Sequence, residues 1–121
     1  MAQRFEDIPA WQEARKLTRQ IYQLTATASF AGDSGLGERI RQAAASSMVN
    51  IAAGPSCASK GESAQCLQVA RRSVAEVQSL LYIALDVGHI GAEVFRNQYE
   101  QAARVGALAS DLEQSLMGQS N

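Results

Sequence analysis

Apolar residues recur at spacings of three and four in four stretches of the chain, and this periodicity restricts the possible folds more than any other feature. Such spacing places the side chains on one face of an α-helix. The four stripes are Ala14, Leu17, Ile21, Leu24 and Ala28; Leu36, Ile40, Ala43, Ser47 and Ile51; Leu67, Ala70, Val74, Val77, Leu81 and Ala84; and Val94, Gln98, Ala102, Val105, Ala109, Leu112 and Leu116. The pattern predicts helices at about residues 9–28, 36–53, 60–87 and 92–117.

Helix-ending and helix-starting residues separate these stretches. Gly54 is expected in the left-handed conformation that ends the second helix, and Pro55 cannot continue that helix. Ser59 and Glu62 form the S-x-x-E pattern of a capping box, which predicts the start of the third helix. Gly88 is expected to end it. Because the loops are short, neighbouring helices should run antiparallel. The prediction is an all-α protein, an antiparallel up-down-up-down four-helix bundle forming a single domain over residues 1–121.

Composition limits the classes of function. The net charge of -1 lacks the basic excess of a dedicated nucleic-acid binder. Cys57, Cys66 and the single histidine, His89, fit no zinc-ligand spacing, and no phosphate-binding loop or catalytic motif is present. We therefore expect no enzymatic activity, no cofactor and no metal. The absence of a signal-like start or a long apolar run predicts a cytoplasmic protein with reduced thiols and no membrane contact.

Two stretches carry more apolar surface than a four-helix core requires. No charged residue occurs from Gln42 to Ser59 or from Val77 to Leu85. A helix that is apolar on all sides has to be buried on more than one side, which predicts a homo-oligomer. Leu80, Leu81 and Ile83 are the candidate interface residues. The alternative is that these stretches only build a tight core within one chain.

Polar residues of the second and third helices form a candidate cluster. Ser46 and Asn50 share one helical face, and Ser73 and Glu76 share another. If the two helices pack side by side, these residues and Arg41 should make a hydrogen-bonded network. The preferred interpretation is a network that fixes helix register or partner choice, and the alternative is a ligand or RNA contact at a subunit junction.

Arginines supply a second candidate site, for nucleic acid. The densest basic group is Arg39, Arg41, Arg71 and Arg72. Phosphate binding is one hypothesis, and repetition around a ring would strengthen weak contacts. The alternative, which we favour, is a solvated face whose arginines pair with Glu38 and Glu76.

Three segments carry a family resemblance over about residues 5–116. FEDIPAWQEA, LGERIRQAAASSMVNIAAG and SKGESAQCLQVARRSVAEVQSLLYIALDVGHI, in this order, resemble the four-helix bundle protein family, also called the 23S ribosomal RNA intervening-sequence or S23 family. Ala53 stands where that family usually has glutamate. The family pattern also tends to have a basic residue near Gln42 and a glycine near Arg72. These departures weaken any role that depends on the glutamate or on a doubled basic pair.

The resemblance implies a bundle that assembles as a homopentamer and implies no settled activity. The fold is also similar to the accessory protein of diversity-generating retroelements, whose pentameric barrel is strongly basic, unlike this chain. The expected function is therefore that of a non-enzymatic homo-oligomeric assembly or interaction protein. The alternative is an RNA- or ribonucleoprotein-binding accessory that uses arginines repeated around a ring.

Overall fold

A computed structural model describes residues 4–118 and contains four α-helices. They are α1 (Pro9–Thr25), α2 (Ser34–Ala53), α3 (Lys60–Asp86) and α4 (Ala92–Met117). Three short 3-10 turns lie at Phe5–Asp7, Ala28–Phe30 and Gly54–Ser56, and the described residues include no β-strand. The prediction of an all-α four-helix fold is confirmed.

The connection between α1 and α2 differs most from the sequence prediction. α1 ends at Thr25, and Ala28, expected on its apolar stripe, lies exposed in a 3-10 turn. That turn buries Phe30 instead, which is a larger apolar group. α2 begins two residues earlier than expected because Asp33 caps it, accepting a hydrogen bond from the backbone N–H of Leu36 at 3.4 Å.

Gly54 does not adopt the left-handed conformation predicted for it. Its φ of -51° and ψ of -55° are right-handed. Glycine is required here by space, because a Cβ on Gly54 would collide with the side chain of buried Leu67. The hydroxyl of Ser63 also donates to the Gly54 carbonyl oxygen at 2.6 Å, so α3 crosses this turn in close contact. Gly88, in contrast, has a φ of 85° and ends α3 in the left-handed conformation.

The start of α3 has the predicted cap. Ser59 Oγ accepts a hydrogen bond from the backbone N–H of Glu62 at 3.1 Å. The Glu62 carboxylate accepts a bond from the Ser59 hydroxyl, at 3.1 Å, rather than from the backbone N–H that the usual capping box uses.

Each helix packs against two others, in the cyclic order α1, α2, α3, α4. Neighbours run antiparallel: Arg39, early in α2, contacts Glu76 late in α3, whereas Ser46 contacts the earlier Ser73. The other pairs also run in opposite chain order. In α1 and α2, Thr18 contacts Ala44 and the later Tyr22 contacts the earlier Arg41. In α3 and α4, Gln68 contacts Glu113 and Gln78 contacts Tyr99. In α1 and α4, Glu13 contacts Gln101, and the earlier Pro9 lines one hollow with the later Asp111. The core on the bundle axis includes the fully buried side chains Leu17, Ile21, Ile40, Ile51, Leu67, Val77, Leu81 and Val105.

Candidate interaction surfaces

The predicted polar cluster between α2 and α3 forms in part. Ser73 Oγ lies 2.9 Å from Ser46 Oγ and 2.9 Å from the carbonyl oxygen of Val69. The Asn50 amide donates to the backbone oxygen of Ser46 at 2.9 Å, and to its hydroxyl at 3.3 Å. Ser73 is buried, and Ser46 and Asn50 are half-buried. The bond between Ser73 and Ser46 crosses from α3 to α2, whereas the bonds of Asn50 stay within α2. A role of this cluster in fixing helix register stays a prediction.

Arg41 and Glu76 lie outside this network. Glu76 pairs with Arg39 at 3.4 Å on the exposed surface. Arg41 points toward α1, where its guanidinium lies 5.8 Å from the ring centroid of Tyr22. Helix geometry explains the separation: residues two apart on an α-helix point about 200° away from each other, so Arg39 and Arg41 occupy different faces.

The four candidate nucleic-acid-binding arginines do not form one patch. Arg71 points toward α4, where its guanidinium lies 3.0 Å from a carboxylate oxygen of Glu113. The Glu113 oxygen accepts no hydrogen bond of suitable geometry, so Arg71 and Glu113 interact mainly by charge attraction. Arg72 is exposed and makes no ion pair within residues 4–118. Arg39, Arg41 and Arg71 thus each contact a different partner within the chain.

The three candidate interface residues occupy different environments. Leu80 and Leu81 are buried inside the chain and cannot reach a partner. The reason is that α3 packs against both α2 and α4, so the buried part of its circumference is wide enough to include two consecutive residues. Ile83 is 44% exposed, and Val87, one turn later on the same face, is 57% exposed.

An aromatic cluster missed in the sequence supports this exposed part of α3. The rings of Tyr82, Phe95 and Tyr99 lie 4.7 to 5.8 Å apart, centroid to centroid, across α3 and α4. Tyr82 is 50% exposed. The four-residue spacing of Phe95 and Tyr99 was the available signal, but pairing with Tyr82 depends on the register between helices. We call Tyr82, Ile83 and Val87 the α3 patch. Consecutive helical residues point about 100° apart, so Tyr82 lies on the α4 side of this end of α3, and Ile83 and Val87 lie on the adjoining side.

A second surface, without charge and apolar except for Gln42, follows the outer face of α2. Gln42, Ala45, Val49 and Ala53 are spaced by three or four residues, and none is fully buried. Val49 is 63% exposed, the highest value among the large exposed apolar side chains. No charged residue interrupts this segment. We call these four residues the α2 strip.

Asp33 and His89 join two loops at one end of the bundle. His89 Nε2 lies 2.9 Å from Asp33 Oδ2, and the His89 ring lies 5.0 Å from the ring of Phe30. The hydrogen bond from His89 holds the pKa of Asp33 below its usual range, and the bond from the Leu36 N–H acts in the same direction. A pairing across 56 residues gives no local sequence signal. The contact between Asp33 and His89 has a structural role, because the same carboxylate also caps α2.

A polar groove of about 330 Å³ lies between α1 and α4. Buried Gln101 donates to the backbone and carboxylate oxygens of Glu13, both at 3.0 Å, and accepts from Arg104 at 2.6 Å. The Oε1 atom of Gln98 is buried without a hydrogen-bond partner in the described chain. Charges of both signs line the groove, so it does not favour one class of ligand.

Residues 4–118 contain neither a metal-ligand cluster nor a helix that could span a membrane. No three His, Cys, Asp or Glu side chains come together there as metal ligands. None of the described helices combines the length and apolar character needed to cross a membrane.

Comparison with known proteins places this architecture in a family. The sequence model of a family described as 23S rRNA-intervening sequence protein matches residues 6–111. Among solved structures, the chain is similar to a crystal structure of a protein with unknown function from the S23 ribosomal protein family of Bacteroides thetaiotaomicron. The TM-score is 0.75 at 13% identity, covering 87% of this chain and 98% of that one, and this similarity shows the fold alone. No curated protein matches the chain.

Proposed function

The chain belongs to the 23S rRNA-intervening sequence protein family, and we propose that it is a non-enzymatic protein that works by assembling with copies of itself into a ring. The observation that carries the proposal is the α3 patch, where Tyr82, Ile83 and Val87 expose about half of each side chain at one end of α3. Several exposed apolar side chains at one end of a helix are typical of a surface that another protein covers. A five-membered ring is the size that the family resemblance implies.

The aromatic cluster makes the α3 patch suitable for binding. Phe95 and Tyr99 pack against the Tyr82 ring and restrict its motion, so little side-chain entropy is lost when a partner covers it. Tyrosines with restricted motion are common among the residues that dominate interface energies. The patch is therefore suited to act as the centre of an interface.

The α2 strip provides the complementary surface that a ring requires. In a ring, each copy uses two different faces, whereas a two-fold dimer uses one face twice. Val49 lies near the level of Ala70 in the neighbouring helix, because Ser46 contacts Ser73 and the helices are antiparallel. Val49, the most exposed side chain of the strip, and Ile83 are therefore separated by about 20 Å along the bundle. Two separate apolar surfaces favour a head-to-tail contact over a self-complementary one.

The apolar contribution of the α3 patch can be estimated from the exposed fractions of its side chains. Burying an entire Ile or Val side chain contributes about 1.5–3 kcal/mol. Since roughly half of Ile83 and Val87 is still exposed, covering them would add about 1 kcal/mol each. The remaining part of the patch and the α2 strip add to this, before the cost of association is subtracted.

The test is the substitution Ile83→Asp, with Gln23→Asp as the matched control. Both residues lie toward the same end of the bundle, but Gln23 is exposed on α1, which is diagonal to α3. We expect Ile83→Asp to lower the solution mass measured by light scattering, with its helical circular dichroism retained. Gln23→Asp should keep the wild-type mass. If both variants keep that mass, the α3 patch is not the assembly surface.

RNA binding remains the second candidate function, with less support. Arg72 is an exposed cation that a ring would repeat, but Arg39 and Arg71 are paired with carboxylates of the same chain. The distinguishing measurement is the ultraviolet absorbance of nucleic acid in the purified protein peak. Bound nucleic acid that is lost in Arg72→Ala, at unchanged mass, would favour this alternative. A peak free of nucleic acid favours assembly alone.

A further inference from the structure

The two cysteines of the chain lie together at the turn between α2 and α3. Cys57 directly follows the 3-10 turn Gly54–Ser56, and Cys66 lies in the second turn of α3. Their sulfur atoms are 3.7 Å apart, and both residues are half-buried. The spacing of nine residues matches no common dithiol motif, so only the fold reveals the pair.

We propose that Cys57 and Cys66 are a redox site that exchanges with a small disulfide, such as glutathione disulfide, and closes to an intramolecular disulfide. The proposal is independent of the assembly proposed above, because both cysteines belong to one chain.

The local backbone permits closure. A disulfide has an S–S length of about 2.05 Å, so the two sulfurs need to approach by about 1.7 Å. Cys57 has an extended backbone, with φ -73° and ψ 154°, and is followed by exposed Ala58 and Ser59 before α3 begins. Its thiol interacts only weakly with the carbonyl oxygen of Ala53, at 3.2 Å. Cys57 can therefore move toward Cys66, which stays fixed in the helix.

Exchange requires a thiolate to attack first, and the structure favours Cys57 for this step. Burial raises the pKa of the Cys66 thiol, and the hydrogen bond with Cys57 raises it further, so Cys66 remains protonated to a higher pH. Cys57 lies in the non-helical connection, beside residues that are open to solvent.

The reaction has two balanced steps. The Cys57 thiolate attacks one sulfur of glutathione disulfide, forming a mixed disulfide and releasing one glutathione thiolate, which takes up a proton. The Cys66 thiol then loses its proton to solvent and attacks Cys57 Sγ. A second glutathione thiolate leaves and is protonated in turn. In sum, two protein thiols are oxidised to one disulfide and one glutathione disulfide is reduced to two glutathione thiols.

The experiment equilibrates the whole protein with glutathione buffers of increasing oxidising strength, followed by alkylation of free thiols and mass spectrometry. We expect the wild-type chain to lose both thiols together and about 2 Da of mass, without a glutathione adduct. Its melting temperature should rise by several degrees, because a closed loop restricts the unfolded chain.

The single variants are the matched controls. Cys66→Ser should keep a glutathione adduct on Cys57, since no second thiol resolves it. Cys57→Ser should acquire its adduct on Cys66 more slowly. Persistent adducts on the wild-type chain, disulfides only between chains, or two thiols that never oxidise would each overturn the proposal.

Discussion

The close approach of α3 to Gly54 leads to a prediction in which one chemical change has opposite effects at two positions. In Gly54→Ala, the added Cβ would collide with the Leu67 side chain, which is fully buried and cannot swing into solvent. In the control, Gly35→Ala, nothing lies within 4 Å of the added Cβ in the first turn of α2. Neither glycine has a positive φ, so the backbone accepts alanine at both positions.

Two effects determine the change in the free energy of unfolding. Replacing glycine by alanine stabilises by about 0.4–1 kcal/mol when no clash occurs, because the unfolded chain loses freedom. Forcing an extra methyl into a packed core costs about 1–3 kcal/mol. Gly35→Ala should therefore stabilise the protein by about 0.5 kcal/mol, whereas Gly54→Ala should destabilise it by about 1–2 kcal/mol.

The assay is urea unfolding followed by circular dichroism, at one fixed protein concentration because assembly would contribute to stability. The two midpoints should move in opposite directions from the wild-type value. If Gly54→Ala is as stable as wild type, the turn has room for a Cβ and the explanation of Gly54 by close approach is wrong. A Gly35→Ala variant that is less stable than wild type would contradict the stabilisation predicted for the control.

Three further predictions concern a cap, a loop contact and burial. Ser59→Ala should lose about 1 kcal/mol in the same unfolding assay, because the cap of α3 disappears; no loss would mean that the cap bond is unimportant. The pKa of Asp33 is lowered in the folded state by His89, so its contribution is present above about pH 4 and is lost as pH falls through the lowered pKa. Asp33→Asn, which can still cap α2, should weaken the acid dependence of the melting temperature, and an unchanged pH profile would contradict this. Leu81→Ala should cost about 2–5 kcal/mol against about 1 kcal/mol for Ile83→Ala, and equal losses would refute the different burial of these neighbours.

Most of the fold could be predicted from the sequence because its signals are local. The apolar spacing gave the four helices, and Ser59 and Gly88 act at helix ends through groups only a few residues away. Gly54 illustrates the limit of this approach. Its position at a helix end was evident, but the reason for glycine is a side chain on the next helix.

The candidate sites depended on contacts between distant residues and were less predictable. The separation of Arg39 from Arg41 could have been foreseen, since two helical residues at that spacing cannot share a face. The burial of Leu80 beside Leu81 could not, because it depends on how far α2 and α4 wrap around α3. The contact of Asp33 with His89 likewise appears only when the ends of the bundle are assembled.

Solution mass tests the central claim, assembly through the α3 patch, most directly. Light scattering on the purified wild-type protein, across a range of concentrations, should give about 65 kDa, which is five copies of the 13.0 kDa chain. In Ile83→Asp the mass should fall toward that of one chain while the helices remain folded. A wild-type mass of 13.0 kDa at every concentration would contradict the account, since the exposed side chains of α3 would then have no partner copy to cover them.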